Sequence, residues 1–113
     1  MKSKILALSK IEQFKSLLRQ KKISNKYTTI FFGKIANKNK NKLNISFITK
    51  KKIGNAVKRN KIKRRLRNIM NDAVKNITLK FDYSYLVIAK PTMLNKEYTI
   101  IKETLFRDFE RIK

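Results

Sequence analysis

From Gln13 to Asn71 the chain carries 19 Lys or Arg and no Asp or Glu. A single domain with such a stretch repels itself unless a polyanion neutralises it. The imbalance holds for the whole chain, where 30 basic residues face 7 acidic ones for a formal net charge of +23. Solubility needs a net charge of only about 2–8, so a solvated basic surface is a poor explanation. From Ala73 to Lys113 the balance changes to 8 basic and 5 acidic residues. The first part of the chain is therefore expected to meet the polyanion, and the second mostly to serve the fold.

The 113 residues suit one domain, read as 1–113. At 42% hydrophobic the chain can build a core and is no disordered tail. Cysteine and histidine are absent, which excludes a disulfide framework and thiolate metal sites and fits the cytoplasm. The apolar patch Ile5–Leu8 is too short for a signal-peptide core, and no stretch approaches the ~20 apolar residues of a membrane span.

Ser9 to Gln20 reads as a first helix, with Ser9 and Glu12 as a capping box and Ile11, Phe14, Leu17 and Leu18 on one face. Tyr27–Ile35 and Leu43–Thr49 read as the two strands of a hairpin around the polar loop 36–42, with a short extra strand at Ile23–Lys26. Gly54-Asn55 breaks the chain and caps a helix reaching about Asn76, its apolar stripe formed by Ile62, Leu66, Ile69, Met70 and Ala73. Tyr83–Ala89 is a strongly β-prone run ended by Lys90-Pro91. A last helix spans Asn95–Ile112, with Tyr98, Ile101, Leu105, Phe109 and Ile112 on one side. The class is α+β, a two-layer sandwich of helices on one sheet. The hairpin and the later strand can share that sheet only if a helix crosses over between them.

Ten of the 18 residues from Lys50 to Arg67 are Lys or Arg. On a helical wheel, Asn60, Lys61, Arg64, Arg67 and Asn68 gather opposite the Ile62–Leu66 stripe, and Lys63 and Arg65 flank it. Arg grips phosphate bidentately and stacks on bases, and Asn reads base edges or 2′-hydroxyls. Arg59 falls nearer the stripe, and Val57 lies off it, so the first turn must pack differently from the rest. A basic helix face alone also occurs in general RNA-binding and ribosomal proteins, which stand as the alternative reading. A nuclease acting through its own side chains would need a general base or metal ligands beside its phosphate grip, and 13–71 holds no carboxylate to serve.

The order of residues is more specific. Lys52-Ile53-Gly54-Asn55-Ala56-Val57-Lys58-Arg59-Asn60-Lys61-Ile62-Lys63-Arg64 resembles K-x-G-x-A-V-x-R-N-x-x-K-R, the signature of the bacterial ribonuclease P protein subunit, often called its RNR motif. The fixed positions match at Lys52, Gly54, Ala56, Val57, Arg59, Asn60, Lys63 and Arg64, and Arg67 matches the basic residue that usually follows. Phe14 in the first helix, the hairpin, Asp82-Tyr83 to Ala89 and the last helix extend the likeness over nearly the whole chain. The third residue of the R-N-R triplet is Lys61, which keeps the charge and loses the planar fork.

The resemblance implies an α-β-β-β-α-β-α order with a left-handed β-α-β crossover around the motif helix. It implies a tRNA-processing endoribonuclease whose chemistry is carried by an RNA subunit with Mg²⁺, so no catalytic or metal-binding residue is expected in the protein. The implied partners are that RNA and precursor tRNA, with no membrane and no small-molecule substrate. Lys52, Arg59, Asn60, Lys61, Lys63, Arg64 and Arg67 are then expected on the catalytic RNA. Phe14, Leu18, Thr29 and Phe31 are expected in a cleft for the single-stranded 5′ leader; Phe14 and Phe31 fit plain core packing equally well. Asp82 fits a turn cap or a place near a metal, and is read as the turn residue.

Overall fold

The strand Tyr83–Ala89 has apolar residues at successive positions instead of alternating ones, which requires cover on both faces and neighbours on both edges. The computed structural model, which describes residues 5–8, 11–34 and 42–112, puts its core, Ser84–Ala89 (β5), in the middle of a five-stranded sheet. The other strands are Ile5–Leu6 (β1), Lys21–Ser24 (β2), Thr28–Gly33 (β3) and Leu43–Ile48 (β4), in the spatial order β1-β4-β5-β3-β2. The helices are Ile11–Leu18 (α1), Ala56–Asn76 (α2) and Tyr98–Arg111 (α3), with 3-10 turns at Lys51–Ile53 and Pro91–Asn95.

This order corrects the expected hairpin. β3 and β4 do not pair; β5 lies between them, antiparallel to β3 over six residue pairs and parallel to β4 over five. The two-sided apolar β5 takes the central place that a β3–β4 hairpin would have closed. α2 provides the crossover that joins the parallel β4 and β5. The hairpin that does form is β2–β3, four pairs long and turned at Asn25. Asn25 Oδ1 accepts from the backbone N–H groups of Tyr27 (2.7 Å) and Thr28 (2.9 Å), an Asx turn. The extra strand thus begins at Lys21 rather than Ile23.

Alternation sorts the sheet residues to two faces. Ile30, Phe32, Ile45, Tyr85 and Val87 form the main core with the α2 stripe Ile62, Leu66, Ile69, Met70 and Ala73, all of it buried as the spacing requires, and with Ile101, Leu105 and Phe109 of α3. α2 and α3 are the helical layer expected on one face. α1 lies over part of the other, where Leu17, Leu8 and Leu86 form a smaller cluster with Phe14, Phe31, Ile48 and Ile88. α1 ends two residues before Gln20, where Arg19 and Gln20 donate to the carbonyls three residues back. Ser9 of the expected capping box, Ile35 and most of the 36–42 loop lie outside the described residues. α3 starts at Tyr98 rather than Asn95, because Pro91–Asn95 forms its own 3-10 turn.

Candidate RNA interface

The motif occupies the connection from β4 into α2. After β4 the chain makes the turn Lys51–Ile53, whose Ile53 is buried in the core, and Gly54 closes it by donating to Lys51 O (3.1 Å). Gly54 has φ +148°, a conformation that side chains rarely adopt, and a Cβ there would meet the Lys58 side chain at 2.8 Å. Asn55 then caps α2, its Oδ1 accepting from Lys58 N at 3.0 Å. The Gly-Asn break therefore fixes where the helix starts and which way its faces point.

With the stripe buried, Asn60, Lys61, Arg64, Arg67 and Asn68 all emerge exposed on the opposite side, and Lys63 and Arg65 are half-buried along the flanks. Lys52 is exposed on the preceding turn. The first turn does pack differently: Val57 is 76% exposed, and Lys58 beside it is also exposed. Arg59 leans inward from this turn into a depression of about 250 Å³ shared with Thr49, Asn60 and Lys63. Its Nε is buried without a hydrogen-bond partner among the described residues. Leaving such a donor unmet costs about 1–3 kcal/mol, and an incoming anion would meet it. None of the motif cations forms an ion pair with a described residue; the ion pairs there are Lys34–Asp82 and Lys102–Asp72.

On the other face of the sheet, Phe14 and Phe31 are half-buried, packed on Leu17 and Leu86 while keeping open surface. Each is thus part wall and part core. The Lys22 ammonium stands 5.9 Å from the centre of the Phe31 ring. Thr29 shares the face of Phe31 and is half-buried, with its hydroxyl 3.4 Å from that of Ser24. Leu18 is 50% exposed at the end of α1.

Sequence reasoning missed how these two regions join. Among the described residues β1 pairs only with Leu43 and Asn44, and no further strand pairing is seen on that side of β4. A depression of about 380 Å³ runs along it, lined by Phe14, Ser46 and Ile48 from the α1 side and by Lys63 and Arg67 of α2. Leu8 N donates to Ser46 Oγ (2.8 Å) and ties the chain after β1 to this side of the strand. Phe14 of the aromatic cleft and the flank of the basic helix thus line one depression. No signal in the sequence announced this, since it depends on strand order. Lys90 and Asp82 find protein partners. The Lys90 ammonium donates to Ser24 Oγ (2.8 Å) and Asn25 O (2.6 Å), and Asp82, in the turn before β5, pairs with Lys34 at 3.7 Å.

Comparison with known proteins bears on this arrangement. The family model of ribonuclease P matches residues 3–113. The chain belongs to the ribonuclease P protein family. It is 31% identical over 102 residues to the ribonuclease P protein component of Carboxydothermus hydrogenoformans, covering 87% of this chain and 83% of that one. To the component of Mycoplasma mycoides it is 30% identical over 102 residues, covering 89% and 90%. Its fold is similar to the ribonuclease P protein of Thermotoga maritima, with a TM-score of 0.80 at 21% identity over 96% of this chain and 98% of that one. A Staphylococcus aureus ribonuclease P protein gives 0.76 at 21% identity, covering 94% and 93%. The family makes the chain a protein subunit of ribonuclease P, an RNA-binding protein of tRNA 5′ processing.

Proposed function

We propose that the motif face docks on the catalytic RNA of ribonuclease P while the joined cleft holds the single-stranded 5′ leader of precursor tRNA. Lys52, Lys61, Arg64 and Arg67 neutralise phosphates, Asn60 contacts base edges or 2′-hydroxyls, and Arg59 and Lys63 clamp one phosphate in their depression. Phe14 and Phe31 offer ring surface to unpaired bases, with Leu18 and Thr29 as the apolar and polar rims. The observation that carries this reading is the sorting on α2. A fully buried stripe leaves every wheel-opposite basic residue exposed, and the Arg59 Nε stays unmet among the described residues.

The RNA subunit carries the chemistry. Mg²⁺, the ion the family implies, would activate water for phosphodiester hydrolysis on that RNA. The motif face does not suit a resident divalent cation, because its donors are cations and amides with no carboxylate from residue 13 to 71. The protein's own part is to neutralise, orient and hold two RNA strands side by side. We place this work in the cytoplasm, in keeping with a cysteine-free chain; among the described residues no helix is long and apolar enough to cross a membrane.

The test compares the double variant Arg59→Ala with Asn60→Ala against the parent protein for binding to a bacterial ribonuclease P RNA and to unrelated RNAs of equal length. Selective loss on the ribonuclease P RNA supports the assignment of the face. Equal weakening on all RNAs makes it a general polyanion surface and sinks the assignment.

A further inference from the structure

The far end of the sheet holds a cavity that neither the motif nor the leader cleft uses. It lies at the last residue of β3 and the first turn before β5, lined by Gln20, Lys21, Phe32, Gly33, Lys34 and Tyr83, with a volume of about 220 Å³. The motif follows the opposite end of the strands, where Ile48 pairs with Ile88, whereas Gly33 pairs with Ser84. At ~3.3 Å per residue the two ends of β5 are roughly 16 Å apart.

Its chemistry is that of a nucleotide site. Tyr83 stacks on Phe32 with ring centres 6.0 Å apart and planes 29° apart, so the wall is a braced aromatic surface. The Lys80 ammonium stands 5.6 Å from the centre of the Tyr83 ring. Lys21 and Lys34 are exposed at the rim. Asp82 is the one carboxylate here, paired with Lys34 at 3.7 Å with both side chains mostly in solvent, a pair worth little. The floor is formed by Gln20 and Gly33. The Gln20 side chain lies against Gly33, and its Nε2 donates to Lys34 O (3.3 Å). The volume falls below the ~300 Å³ at which sites for drug-sized ligands begin, which suits one base rather than a larger molecule.

We infer that this cavity takes a single unpaired nucleotide of an RNA strand, its base against Tyr83 and its phosphate on Lys21 and Lys34. The inference rests on reading the chain as an RNA-binding subunit, but on different residues from the motif and cleft. An aromatic wall beside lysines is how sequence-tolerant single-strand sites work. The nucleotide comes either from the catalytic RNA or from a distal part of the precursor leader.

The probe is hexauridylate, titrated into the full ¹⁵N-labelled protein, with affinities measured in parallel by anisotropy. The expected result is amide shifts at Gln20, Gly33, Lys34 and Tyr83 that persist in the Arg59→Ala, Asn60→Ala variant. Lys21→Ala with Lys34→Ala is expected to weaken this binding roughly tenfold and to lower the salt slope by about 1–2. Tyr83→Leu is expected to weaken it by at least about fivefold at unchanged slope, as loss of stacking requires. Asp82→Asn, which removes the carboxylate that would repel the phosphate, is expected to tighten it. Should Tyr83→Leu lose its fold by circular dichroism, the lysine and Asp82 variants still decide. Shifts confined to α1, Phe31 and α2 overturn the inference, as does equal binding of inorganic tripolyphosphate that is indifferent to Tyr83, which makes the patch an anion sink. In the reconstituted ribonucleoprotein, a KM effect of the lysine variant seen only with long leaders assigns the nucleotide to the precursor. Weaker subunit assembly at every leader length assigns it to the catalytic RNA, and the absence of both effects overturns the site's role.

Discussion

Arg59 sits at the boundary between the basic face and the apolar stripe of α2. On the wheel it falls near the apolar stripe, so its charge reaches solvent only if the first turn of α2 stands clear of the core. The turn does stand clear, with Val57 76% exposed, and Arg59 keeps a buried Nε that has no hydrogen-bond partner among the described residues. Arg59→Ala, which removes the unmet donor, is therefore expected to hold or raise the melting temperature while lowering the salt slope of RNA binding by about 1. A slope equal to that of the parent protein places Arg59 off the RNA. Spacing alone could identify the motif but could not tell whether this guanidinium points to solvent. The same holds for Phe14 and Phe31, whose half-burial depends on how far α1 extends over the sheet.

At the scale of elements, legibility followed the strength of the local signal. α2 was readable nearly to the residue because three devices agree on it: Gly54 at φ +148°, the Asn55 cap, and a stripe with no interruption. Asn55→Ala is expected to cost about 1 kcal/mol in denaturant unfolding, and Leu66→Ala, fully buried, about 2–5 kcal/mol. Similar small costs for both would mean that the stripe does not carry the packing. The sheet was less readable. β2 is an edge strand of mostly exposed residues starting Lys21-Lys22, which blunts the edge against aggregation but erases the apolar pattern. β1 is two residues long and too short to leave any signature. The false β3–β4 hairpin came from nearness in sequence, which favours adjacent pairing. The correct neighbour, β5, lies beyond a 21-residue helix.

For the molecule as a whole, charge and fold are divided along the chain. The acid-free stretch supplies α2's outer face and the motif turn, while β5 and α3 complete the core and hold the turns in place. Asn25, already organising the β2–β3 turn, donates through Nδ2 to the buried Asp108 of α3 (2.8 Å), and Thr92 donates to Lys26 O. The core also contains a titrating group. Tyr85 is buried, its hydroxyl donating to Lys80 O at 2.8 Å, and burial pushes its phenol well above the ordinary value of 10.0. The folded state thus favours the neutral phenol, so this contribution is complete below pH 10 and declines as pH rises above it. Stability measured by urea unfolding is expected to fall above pH 10, with a shallower fall in Tyr85→Phe.

The central claim, that this chain is the protein partner of a catalytic RNA, is tested most directly by reconstitution. The protein is mixed with a bacterial ribonuclease P RNA and a 5′-labelled precursor tRNA at low Mg²⁺ and moderate salt, where the RNA alone is expected to be nearly inactive. The account predicts cleavage at the mature 5′ end that requires both components and is lost with Arg59→Ala and Asn60→Ala together. No stimulation by the protein, with equal binding to unrelated RNAs, would contradict it.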